Sequence, residues 1–248
     1  MTSVNHKPQS AQAPGIVIRK YRRQDRAAVR KICYDTGLMG EPIDPYFGSL
    51  ELFADYWMMY YTDYEPESAF VAEVNGKVVG YLVGCKETSV QQEVQREVIL
   101  PRIRRRLFTF GYRLDSRFLR FMYRYFRSAW RHEFVEEPVK DYPAHLHMNL
   151  KEGFRSRGIG SMLIAAFLEY LESNDVRGIH LGTTSYNKLA LPFYRKWGFR
   201  MVSRHPFTMY DGIIPEKIDV LFFVREITKK NDKTNPSGGS HDPAQAQP

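Results

Sequence analysis

Between His145 and Glu172 the hydrophobic period of the chain changes. His145 to Leu150 alternates as a strand does, Lys151 to Gly160 is polar and glycine-rich, and Ile159-Gly160-Ser161-Met162-Leu163-Ile164 resumes at helical spacing. The pattern predicts a strand over 145–150, a tight turn, and a helix from Ile159 to about Glu172. Such a corner gathers unpaired backbone N–H groups and the positive end of a helix at one point. Gly158 and Gly160 let an anion reach the backbone without a Cβ in the way. Arg155 and Arg157 add positive charge, so a diphosphate is a natural guest. Glycine turns between strand and helix also occur for purely structural reasons, and the corner alone does not decide between the two.

The flanking sequence supplies an α/β frame. Ile16 to Arg19 reads as a short strand, and Asp25 as the N-cap of a helix through Ala27, Val29 and Ile32. Asp35-Thr36-Gly37 stops that helix, and Leu50 to Tyr61 forms a second, aromatic-rich one. Two β-rich runs, 69–74 and 78–83, flank Asn75-Gly76 as an antiparallel hairpin. Ile179 to Thr183 is a strand, Asn187 to Trp197 a helix closed by Gly198, and Phe199 to Met209 and Ile218 to Val224 are two final strands. Strands alternating with helices in the second half imply parallel pairing there. The expected fold is a mixed, twisted α/β sheet of about six to seven strands flanked by helices.

In this setting Arg155-x-x-Gly158-x-Gly160 resembles motif A of the GNAT acetyltransferases. Asn187-x-x-Ala190-x-x-Phe193-Tyr194-x-x-x-Gly198-Phe199 resembles their motif B. The hairpin and the Arg19/Asp25 segment are similar to the first elements of that family. The resemblance covers about residues 16 to 227 and leaves a segment at 88–137 outside, an insert between strands 3 and 4. A narrower likeness, to the GNAT-like module of O-GlcNAcase C-termini and its stand-alone microbial relatives, is carried by Asp35-Thr36-Gly37, Glu65-Pro66-Glu67 and Tyr142 to His147.

The resemblance implies an acetyl-CoA-dependent N-acetyltransferase with no metal, in which a primary amine attacks the thioester directly. Met148 and Leu150 would pair with the pantetheine arm through their backbones. Amides of Arg157, Gly158, Ile159, Gly160 and Ser161 would hold the pyrophosphate, with Arg155 in the same loop. Asn187 would bond the pantetheine, and Tyr194 would protonate the departing thiolate. A strand amide near Met148 would stabilise the oxyanion. The base is less defined. The family often places a carboxylate on the strand before the loop, and the corresponding position is close to Ala144. His145 and His147 are the neighbouring candidates, on the face opposite Leu146 and Met148 unless a bulge re-aims one of them; Asp141, Tyr142 and a water relay are further options. Each residue also has a structural reading: bonded histidines beside a cleft, a packing aromatic at Tyr194, and a helix cap at Asn187.

Charge is concentrated in the insert. The chain carries +8, yet residues 96–131 hold eleven arginines against Glu97 and Asp115, a net of +9. Arg113, Arg117, Arg120, Arg124, Arg127 and Arg131 recur at helical steps, with Leu114, Phe118, Phe121, Met122, Tyr125 and Ala129 on another face. The expectation is a docked helix with a solvated basic face, a lid for an anionic acceptor, or a membrane-surface helix. No nucleic-acid reader motif accompanies it. The two cysteines, Cys33 and Cys85, form no metal or disulfide pattern and suit a reducing compartment. Residues 1–15 lack the apolar core of a signal peptide, and no run reaches the ~18 apolar residues of a membrane span. The sequence is read as a soluble, cytoplasmic protein: a domain at 15–228 between disordered tails at 1–14 and 229–248.

Overall fold

Asn75 and Gly76 both adopt positive φ, 51° and 73°, as a two-residue type I′ turn demands. They fold β2 (Phe70–Val74) onto β3 (Lys77–Cys85), the hairpin around which the sheet grows. The computed structural model describes residues 15–135 and 140–227; both expected tails and the end of the insert lie outside these.

Seven strands form one mixed sheet in the order β1-β2-β3-β4-β5-β7-β6, where β1 is Ile16–Lys20, β4 Ala144–Leu150, β5 Gly178–Thr184, β6 Arg200–Phe207 and β7 Ile218–Glu226. All neighbours are antiparallel except β4 and β5. Alternation along β3 sends Tyr81, Val83 and Cys85 to one face and Leu82 to the other, and a register shift against Ala72 and Glu73 of β2 turns Val79 to the Leu82 side, so two cores form. The first lies under α1 (Arg26–Asp35), α3 (Leu50–Met59) and the insert; the second lies under α7 (Ile159–Ser173) and α8 (Ala190–Lys196). α7 buries Ile159, Leu163, Ile164, Phe167, Leu168 and Leu171, a stripe at helical spacing.

The insert between β3 and β4 is helical as expected. α4 (Thr88–Val94) runs through a π-helical turn, 95–99, into α5 (Leu100–Phe108), and α6 (Ser116–Trp130) follows. Asp115 caps α6, accepting from the amides of Arg117 and Phe118. The basic face is only partly solvated: Arg113 and Arg120 are exposed, while the other four arginines of the stripe bond the body of the protein. Arg117 bonds the Asp44 carbonyl and carboxylate of α2 (Asp44–Phe47). Arg124 and Arg127 reach Asp211, Arg127 also reaches the Thr208 carbonyl, and Arg131 the Thr208 hydroxyl. These partners stand far away in sequence, where periodicity does not register them. Asp25 is the N-cap residue of α1, as expected, but its side chain makes no cap bond to that helix. Its carboxylate accepts from Arg19 at 2.7 and 2.9 Å and from the Arg22 amide.

Candidate active site

β4 and β5 are paired only at Ala144↔Ile179 and His145↔His180. β4 then continues to Leu150 against β3, while β5 continues to Thr184 against β7. From Leu146 onward the edge of β4 that faces β5 therefore has no ladder partner in the sheet, and Gly182 of β5 is exposed. Two diverging parallel strands leave a slot whose wall presents backbone donors and acceptors.

The slot leads to the glycine corner. Ser156 and Gly158 both have positive φ, 59° and 81°. For Ser156 this conformation costs on the order of 1 kcal/mol. Gly158 is the N-cap of α7 and has no side chain to occupy the first-turn amides, so those of Ile159, Gly160 and Ser161 have neither an intrahelical acceptor nor a side-chain cap. A Cβ on Gly158 would meet nothing within 4 Å; one on Gly160 would touch Met148 and Phe193 at 3.5 Å.

A cleft of about 370 Å³ joins these features. Met148 and Leu150 of β4, Gly158, Gly160 and Ser161 of the corner, and Asn187, Phe193 and Tyr194 around α8 line it, with Met39 and Gly40 on the opposite rim. Arg155 also lines it, but its guanidinium donates to the Gly40 and Leu150 carbonyls, which ties the loop to the α1–α2 connection. Gly40 has φ 105°, and a Cβ there would meet that guanidinium at 3.3 Å. Arg157 points elsewhere, over the Phe154 ring, and with Ile159 lines a neighbouring hollow.

Asn187 lies two residues before Leu189, the cap of α8; its carbonyl receives the Ala190 and Leu191 amides, and its side chain reaches the Thr183 hydroxyl at 3.5 Å. Tyr194 is buried among Phe193, Phe199 and Phe223 while still lining the cleft, and burial pushes its phenol up to about 12. At neutral pH it is a hydrogen-bond donor with its proton in place.

The β3–β4 register runs without interruption from Gly80↔Leu150 to Cys85↔His145, so no bulge re-aims the histidines. Both stay on the face opposite Leu146 and Met148. His145 is buried, with Nε2 at 2.5 Å from the Tyr61 hydroxyl and Nδ1 at 2.7 Å from that of Thr88. His147 is half-buried, its ring 5.7 Å from both Trp57 and Tyr61 and 5.4 Å from His145. Neither ring lines the cleft. Tyr142 is engaged by Arg200 through its hydroxyl and by His180 through its carbonyl, and Asp141 is exposed.

Sequence reasoning missed the buried group behind β4. Tyr61, Cys85, Thr88 and His180 meet around His145 from four different elements, with His180 5.7 Å away ring to ring. The one available signal was a polar residue, His180, inside an otherwise apolar strand. The Asn149 amide donating to the Tyr81 hydroxyl at the floor of the slot was also not foreseen.

Comparison with known proteins adds to this geometry. Residues 119–199 match the model of the acetyltransferase (GNAT) family. The fold is similar to the crystal structure of SsHAT, at 28% identity and a TM-score of 0.65, over 87% of this chain and 100% of that one. An N-acetyltransferase from Staphylococcus aureus Mu50 shares the fold at 13% identity and a TM-score of 0.53, over 86% and 99% of the two chains. So does YncA from Salmonella typhimurium, whose structure contains its cofactor acetyl-CoA, at 13% identity and a TM-score of 0.52, over 86% and 95%.

Proposed function

Since the chain belongs to the GNAT acetyltransferase superfamily, we propose that it transfers the acetyl group of acetyl-CoA directly to a primary amine, in the cleft between β4 and α8. One observation carries this reading. The unpaired edge of β4, the open first turn of α7, Asn187 and Tyr194 all face a single cleft. That surface fits an extended thioester substrate with a diphosphate at one end: amide and carbonyl groups for the pantetheine arm, then uncapped N–H groups at a positive helix end.

In this proposal the backbones of Met148 and Leu150 extend the sheet onto the pantetheine, and Asn187 bonds it from the other side. The amides from Arg157 to Ser161 hold the diphosphate. Arg155 acts chiefly by keeping the loop closed onto Gly40. Acetyl-CoA supplies the activated acyl group; the amide near Met148 stabilises the oxyanion formed on amine attack, and Tyr194 gives its proton to the leaving sulfur. His147 takes the amine proton through water, and His145, bonded to Tyr61 and Thr88, supports that face of β4. Cys33 and Cys85, both buried and not joined in a disulfide, support a cytoplasmic setting. An anionic acceptor held by the arginine stripe has little support, because Arg117, Arg124, Arg127 and Arg131 are bonded to the body of the protein.

A second reading, CoA binding without turnover, is favoured by one fact: the described residues lining the cleft include no Asp, Glu or His. CoA thiol release from acetyl-CoA, followed with a panel of amines and the product identified by mass spectrometry, separates the two. Transfer predicts N-acetyl product with at least one amine. Binding of acetyl-CoA with no product from any amine selects the second reading, and failure to bind removes both.

A further inference from the structure

The docked arginine stripe leaves another face of α6 in water, and that face is apolar. Leu119, Tyr123, Phe126 and Trp130 follow at steps of four, three and four residues, which is one side of a helix. They are 67, 70, 63 and 81% exposed. Phe108 and Phe110, at the turn leaving α5, are 83 and 93% exposed. At about 150 Å² for a fully exposed large side chain, the four on α6 leave on the order of 400 Å² of apolar surface uncovered, in the range of the largest patches on soluble monomers, and Phe108 and Phe110 add two more exposed rings. Phe118, Phe121 and Tyr125, on the opposite side of α6, pack on the first core, so the exposed ridge is not needed to dock the helix.

The charge beside the ridge selects its occupant. Arg120 borders it on α6, and Arg102, Arg104 and Arg105 precede Phe108; all four are exposed. A second copy joined through the same patch would bring a segment of +9 against its equal, which opposes a symmetric dimer. Residues 1–14 and 228–248 contain only Met1 and Val4 as large apolar side chains and have little with which to cover it. The sequence carries no nucleic-acid reader motif, and Leu119 in the ridge offers a base neither a ring to stack on nor a hydrogen bond. Aromatic side chains in line, flanked by arginines, match an interface with hydrocarbon on one side and anionic headgroups on the other. No helix among the described residues is long and apolar enough to cross a membrane, so the contact is with its surface.

We propose that the α5–α6 segment docks this protein onto an anionic membrane, with Phe108, Phe110, Leu119, Tyr123, Phe126 and Trp130 entering the headgroup layer and Arg102, Arg104, Arg105 and Arg120 pairing with lipid phosphates and carboxylates. The proposal is independent of the acetyl-transfer reading.

The test is flotation of the full-length chain with vesicles of phosphatidylcholine alone and of phosphatidylcholine with phosphatidylserine at roughly one part in three. The protein is expected to float with the mixed vesicles and not with the neutral ones. The ridge variant Leu119→Ser/Tyr123→Ser/Phe126→Ser/Trp130→Ser changes only exposed positions, so it should keep the wild-type circular dichroism spectrum and lose at least about tenfold in vesicle affinity. Arg102→Gln/Arg104→Gln/Arg105→Gln should weaken binding and flatten its salt dependence. No binding to the mixed vesicles overturns the proposal, and so does binding that the ridge variant leaves intact. A ridge-dependent dimer, or ridge-dependent binding to single-stranded RNA, in a protein that ignores vesicles also overturns it.

Discussion

Asp55 joins three parts of the molecule, and its removal has a calculable cost. The carboxylate is 1% exposed and lies on α3. It accepts from Arg30 of α1 at 2.7 Å, from Arg106 of α5 at 2.5 Å and from the Tyr112 hydroxyl at 2.6 Å. Burial and the bond to Asp55 push the Tyr112 phenol well above its ordinary range, which keeps it a donor. In Asp55→Ala, Arg30, itself 3% exposed, keeps only Glu51, whose side chain is 59% exposed. Breaking a buried pair from one side costs about 3–5 kcal/mol. The Arg106 side chain is 37% exposed, so its share of that loss is discounted to about 0–1 kcal/mol. The expected loss is therefore about 3 kcal/mol, or a fall in Tm of roughly 6–12 °C for a domain of this size. Urea and thermal unfolding of Asp55→Ala, Arg30→Ala and the double variant measure it. The double variant should lose little more than either single one, because both remove the same pair. A loss below about 1 kcal/mol, or single costs that simply add, would refute the clamp.

Other expectations are narrower. Tyr194→Phe should lower kcat by about 10²-fold or more with little change in the KM for acetyl-CoA, measured as CoA release, if the phenol protonates the leaving sulfur. Because burial pushes that phenol up to about 12, no alkaline loss of activity below about pH 10 should disappear in the variant. At Asp25, burial acts to raise the carboxyl pKa but is outweighed by the Arg19 guanidinium and the Arg22 amide, which hold it below its ordinary value. A depressed folded pKa means stability present above the unfolded value of ~3.9 and lost as pH falls through the folded one; the gap between wild type and Asp25→Asn should thus be full at pH 7 and shrink progressively as the pH is taken below ~3.9. Gly84→Ala places a Cβ 2.3 Å from both the His145 carbonyl and the Phe167 ring, and should cost about 1–3 kcal/mol in chemical denaturation.

The elements that sequence reasoning recovered are those with local causes. Asn75-Gly76 forces its hairpin, the apolar stripe of α7 has one period, and Gly158 stands where a left-handed cap is required. The cleft residues Met148, Leu150, Gly160, Asn187 and Tyr194 were legible because a motif on a strand–turn–helix corner brings them together. What stayed hidden depends on distant partners. The spacing of arginines along α6 looks the same whether Asp44 and residues 208–211 await them or water does, so the partial docking of the stripe and the exposure of an aromatic face beside it were not legible. The parting of β4 from β5 after two pairs, and the gathering of Tyr61, Thr88 and His180 around His145, are properties of register and packing that no single segment encodes.

The central claim is that the glycine corner and the open edge of β4 bind acetyl-CoA. Isothermal titration of acetyl-CoA into the wild-type chain and into Gly160→Val tests it most directly, since the added side chain would press on Met148 and Phe193 inside the cleft without displacing backbone. The account predicts saturable one-to-one binding by the wild type and a loss of at least about tenfold in the variant, with Tm changed by only a few degrees. Equal affinity in the two proteins, or no binding by the wild type, would contradict it.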